Sequence, residues 1–104
     1  MPYQLDRWQW GEEVSEEELR AEIRSQGLAP FSWHNGPGDH YSLHSRSYTR
    51  VIYVIQGSVT FHFLDEEDVT LEPGDRIQIP ARTQHAIRVG DMGVRCLEAA
   101  IRQR

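Results

Sequence analysis

Four side chains between positions 44 and 85 have the types and spacing to meet at one chemical site: His44, Arg46, Arg50 and His85. His44 and Arg46 are alternate residues, so on an extended strand they point the same way, about 6.5–7 Å apart. Imidazoles at such a spacing can share an ion at ~2.1 Å. A guanidinium instead repels a cation, and its planar fork suits a carboxylate or phosphate. The set therefore allows two chemistries, a divalent metal on His44 and His85 or an anionic ligand on the two arginines.

Other candidates are weaker. His40 has the strand parity of His44, but four residues of strand put it ~13 Å away, so it joins only if the strand bends. His34, beside Trp33 and a turn, reads as a rim residue, and His62 as outer-face packing. Cys96 on the last strand reads as a small core residue. The acidic tip at 65–68 has the charge of a calcium loop without its spacing.

The elements that must position these residues are mostly strands. Short strand-like runs alternate with turn chemistry: Leu28 to Trp33, Tyr41 to Arg46, Thr49 to Gln56, Ser58 to Leu64, Val69 to Leu71, Arg76 to Ile79, Gln84 to Val89 and Val94 to Ile101. Gln56-Gly57-Ser58 reads as a tight hairpin and Gly90 to Gly93 as another turn. Such a series predicts an all-β jelly roll or barrel. One helix precedes it near residues 15–26. Ser15 and Glu18 form a capping box, Val14 and Leu19 a hydrophobic staple, and Gly27 ends it.

Period two places Ile52 and Val54 on one face of their strand, and Val51, Tyr53 and Ile55 on the other. A strand apolar on both faces is covered twice. The second cover is either the helix or another subunit, which makes a homodimer an expectation. In the lumen, His44, His85, Arg46 and Arg50 stand over an apolar floor of Ile52, Val54, Phe61 and Ile87. An arginine is seldom buried alone, so an internal acid such as Glu98 is the competing partner for either guanidinium. Tyr3, Trp8 and Trp10 read as anchors of the N-terminal segment.

The bulk numbers narrow the function. The 104 residues allow one domain, 1–104, with an N-terminal segment and helix over 1–27 and a barrel over 28–104. Eleven basic residues, all Arg, against sixteen acidic ones give a net charge of −5. No basic stripe is present to bind nucleic acid by counterion release. Neither a leader nor an apolar run of ~20 residues is read, so no membrane contact and a cytoplasmic location are expected.

From Gly38 to Gly90 the chain resembles the cupin superfamily of small β-barrels. In the first cupin motif Gly38 opens, His44 falls at the first histidine, Arg46 at the second, Arg50 at the glutamate, and Gly57 closes. Gly74, Pro80 and His85 match the second motif in spacing, with Gly90 one residue later than usual. The resemblance implies a cupin-type jelly-roll fold and, in metal-binding members, an ion (Ni, Zn, Mn or Fe) on the positions that here read His44, Arg46, Arg50 and His85. With both arginines in place, the reading of these residues favours a small, anionic organic ligand bound by His44, Arg46, Arg50, His85, Ile52 and Phe61. The alternative is a metal-dependent enzyme of dioxygenase or isomerase type with its metal at His44 and His85.

Overall fold

A computed structural model describes residues 2–9 and 13–102 of the chain. Trp10, expected among the N-terminal anchors, lies outside the described residues. The elements run β1 (Gln4–Asp6), α1 (Glu16–Ser25), β2 (Phe31–Asn35), β3 (His40–His44), β4 (Thr49–Phe63), β5 (Val69–Leu71), β6 (Arg76–Ile79) and β7 (His85–Ile101). All strand pairings are antiparallel. This is the all-β fold expected, with one helix in front.

The two glycine-marked turns at 56–58 and 90–93 are not turns. Thr49–Gln56 and Ser58–Leu64 form a single strand, β4, and the last two runs form a single strand, β7. β4 and β7 pair along nearly their whole lengths, with register shifts on either side of Gly57. Gly57 has φ 79°, and a Cβ there would lie 2.0 Å from the carbonyl oxygen of Gly93. A positive-φ glycine serves a bulged bend as well as a hairpin. Here it lets two long strands cross closely at a barrel corner. Each strand then feeds two sheets: β1-β6-β4-β7-β2 on one side, β5-β4-β7-β3 on the other.

The helix forms where its caps place it. The Ser15 side chain accepts from the backbone N–H of Glu18, and Gly27 sits at φ 79° past the end. Arg95 on β7 donates two short bonds to the Glu16 carboxylate, at 2.8 and 2.9 Å, which ties the helix start to the sheet. Leu19 and Ile23 pack with Val51, Tyr53, Leu97 and Ala99. The second apolar face of β4 is thus covered by α1, and the homodimer expectation loses the observation that motivated it.

β1 adds a strand to the expected set, since three residues carry no readable alternation. It pairs with β6 and draws the N-terminal segment into the sheet. The carboxylate of Asp75 accepts from the Trp8 backbone N–H and from Arg7. Tyr3 stacks on Phe63 at 4.5 Å. Tyr3 and Trp8 thus both anchor the segment, as expected.

Candidate functional site

A cavity of about 310 Å³ opens between β2, β3 and the strand ends, lined by Phe31, Trp33, His34, Asn35, Tyr41, His44, Arg46, Tyr48, Arg50, Ile87 and Glu98. Of the expected site residues, His44, Arg46, Arg50 and Ile87 face it. Ile52, Val54 and Phe61 do not: all three are fully buried in the barrel core. Packed side chains fill the barrel's inner end, so the cavity is shallower than the expected lumen.

His85 lies just behind the wall, 1% exposed, its ring 4.4 Å from that of His44 and 6.4 Å from that of Phe61. The rim assignment of His34 agrees with its exposed position on the lining. His62 meets Asp68 at 2.7 Å on the outer face.

A bulge in β3 decides which histidines look inwards. Tyr41 pairs with Ile87 and His44 with His85, so the register shifts by one residue between them. A one-residue slip exchanges the faces of a strand. Tyr41 therefore joins His44 at the cavity, whereas His40, opposite Arg88, lines an outer groove with Thr60 and His62. The parity expected for His40 fails at that bulge, and His40 is no ligand to this site.

The centre of the site is a buried cation. Arg50 is 5% exposed and Glu98 1%. Nε and Nη2 of Arg50 donate to Oε2 and Oε1 of Glu98 at 2.8 and 2.7 Å, a two-point fork. Trp33 donates Nε1–H to Oε1 of Glu98 at 3.0 Å. The remaining Arg50 amino group, Nη1, lies 2.9 Å from Nε2 of His85. Nδ1 of His85 is 2.8 Å from the carbonyl oxygen of Thr83, which can only accept, so the ring proton is on Nδ1 and Nε2 accepts from Arg50. The internal acid anticipated as a competing partner is Glu98, and the arginine it takes is Arg50.

This geometry does not fit a metal. The lone pair that His85 would offer an ion is already bound to a guanidinium, and the guanidinium's own charge opposes a dication. Among the described residues no group of three His, Cys, Asp or Glu side chains could hold an ion. His44 and His85 alone make two ligands where a closed zinc site uses four.

Burial, then the charge of Arg50 and the nearness of His44 and Arg46, hold the His85 pKa down from 6.5 to about 4. The unfolded chain takes up this proton near the ordinary value, the folded one only near the lowered value. Stability from neutral His85 is therefore complete above about pH 6.5 and is lost progressively as pH falls towards about 4. The full effect is on the order of 3 kcal/mol. Urea unfolding at pH 7.5 and 4.5 should show a drop larger by that amount in wild-type than in His85→Gln. Equal drops would place His85 in a protonatable setting. Cys96 is inert: burial and then the Glu98 charge push its thiol up to about 12.

Comparison with known proteins agrees with the fold. The family model described as the cupin domain matches residues 31–99. The chain belongs to the cupin family. No curated protein sequence matches it. Among solved structures, a cupin 2 domain-containing protein from Halorhodospira halophila shares 18% identity over 98% of this chain and 80% of that one, TM-score 0.69. A structure from work on the DMSP lyases RdDddP and RnDddQII shares 28% identity over 72% of this chain and 38% of that one, TM-score 0.65. Oxalate decarboxylase from Bacillus subtilis shares 25% identity over 70% of this chain, TM-score 0.63. This cupin spans 20% of the decarboxylase's length, so it matches a part of that enzyme.

Sequence reasoning missed Phe31 and Trp33 as cavity residues. The alternation Phe31, Trp33, Asn35 along β2 carries that signal, because all three line the cavity.

Proposed function

We propose that this cupin binds a small organic anion in its cavity without a metal. One observation carries the reading: the guanidinium of Arg50 satisfies both His85 and Glu98, leaving Arg46 as the unpaired cation of the cavity among the described residues. The charged lining, Arg46, Arg50 and Glu98, nets one positive charge. The backbone carbonyl of Arg46 accepts from the N–H of Arg82 at 2.8 Å, which fixes the loop that presents the side chain. Phe31, Trp33, Tyr41 and Tyr48 supply apolar walls, the usual makeup of a small-molecule pocket. Oxalate decarboxylase, a neighbour in structure, is named for a small carboxylate, which supports the same ligand class.

The anion's anchor on this reading is Arg46, not Arg50, whose charge is spent on Glu98. Citrate, phosphate or small carboxylates should raise the wild-type melting temperature by mass action, by about 4–8 °C for each kcal/mol of binding. Arg46→Ala should abolish the rise while leaving the unliganded melting temperature nearly unchanged, because Arg46 is exposed. A rise that survives Arg46→Ala would move the anion site elsewhere on the molecule.

A further inference from the structure

Hydrogen-bond accounting restricts the ligand further. His44 places Nδ1 at 2.8 Å from the carbonyl oxygen of Ser42, and a carbonyl only accepts, so Nδ1 carries the proton. In the neutral ring Nε2 is then a lone pair, and the protein gives it no hydrogen-bond partner among the described residues. Its ring is half-buried against His85, at the inner side of the cavity. The Glu98 carboxylate is taken by Arg50 and Trp33, and the other polar groups nearby are donors or can be. Tyr41 accepts from Nδ2 of Asn35 at 2.7 Å, which frees its own O–H to donate, and Arg46 offers only N–H groups. His34 is exposed at the rim, and the amide of Asn35 is engaged with Tyr41.

A ligand filling this cavity displaces water from Nε2 of His44. While the ring is neutral, a plain carboxylate would face that lone pair with its own and leave both unsatisfied, which is unfavourable in a partly desolvated site. Resting on the anion-binding reading, we infer that the ligand is a small carboxylate carrying a hydroxyl or ammonium group. Its carboxylate lies on Arg46, and its O–H or N–H donates to Nε2 of His44. His44 is then the specificity residue and Arg46 the affinity residue.

Matched pairs test this by calorimetry on the full chain: propionate against lactate and alanine, succinate against malate and aspartate, butyrate against beta-hydroxybutyrate. In wild-type at least one donor-bearing member should bind about tenfold tighter than its plain partner, the worth of one well-placed hydrogen bond. His44→Phe keeps a ring of similar size and removes the acceptor, so it should erase that preference within every pair. Arg46→Ala should weaken both members of every pair alike. Equal affinities within all pairs in wild-type would overturn this inference and leave the anion reading standing. A preference that persists in His44→Phe would also overturn it. Failure of every carboxylate to bind wild-type would overturn the anion reading, and this inference with it. The wild-type comparison needs no variant to fold.

Discussion

Arg50→Ala should destabilise this cupin by about 3–5 kcal/mol, the usual cost of leaving one half of a buried ion pair uncompensated. Two groups lose their partner at once. Glu98, 1% exposed, keeps only the Trp33 bond, and the His85 lone pair keeps nothing. Against a typical total of ~5–15 kcal/mol the loss is a large fraction of the stability. Arg50→Lys should fall between, since an ammonium reaches one partner where the fork reaches two faces. The pair itself is not a large net contributor. Arg50→Met with Glu98→Met should therefore cost less than the sum of the two single alanine changes, because no buried charge remains alone. Urea unfolding of these variants supplies the numbers. A loss below about 1 kcal/mol for Arg50→Ala would mean that the pair behaves like a surface one.

The second large effect concerns metal binding. By the family's motif, Arg46 and Arg50 stand at the second-histidine and glutamate positions. Arg46→His with Arg50→Glu removes two repelling cations and adds two ligands to His44 and His85, whose rings are already 4.4 Å apart. Affinity for zinc or nickel should rise on the order of a hundredfold or more. The same change puts a second carboxylate, at position 50, near the buried and now unpaired Glu98. The metal-free variant should therefore be less stable than wild-type and regain stability as metal is added. Adding Glu98→Gln should relieve much of that penalty, since its amide oxygen can still accept from Trp33.

The parts of this fold legible in the sequence are those set by local chemistry. Ser15, Glu18 and Gly27 bound the helix because caps are local, and the edges of β5 and β6 fall where the turn residues end. The same locality misleads at Gly57. A positive φ marks a change of chain direction, and only the crossing partner, Gly93, shows that the change is a corner within a strand. At β3, alternation predicts an inward His40, but the bulge that reverses it is a matter of pairing with β7 and leaves no mark in the sequence. The Arg50–Glu98 pair is intermediate. An arginine on the inward face needs an acid, and Glu98 lies on the strand opposite, yet which of the two arginines takes it depends on depth. Arg50 starts inside β4, whereas Arg46 sits in the loop beyond β3, within reach of water.

On this reading the guanidinium of Arg50, held between His85 and Glu98, takes the place of a metal ion. Metal content and native mass, measured on wild-type and on Arg46→His/Arg50→Glu after zinc or nickel loading and passage over a chelating resin, test it most directly. The expected result is a wild-type chain at its bare mass with metal far below one equivalent, and a variant that retains close to one equivalent. One tightly held equivalent in wild-type would contradict the account, because it would require Arg50 to leave His85 and Glu98.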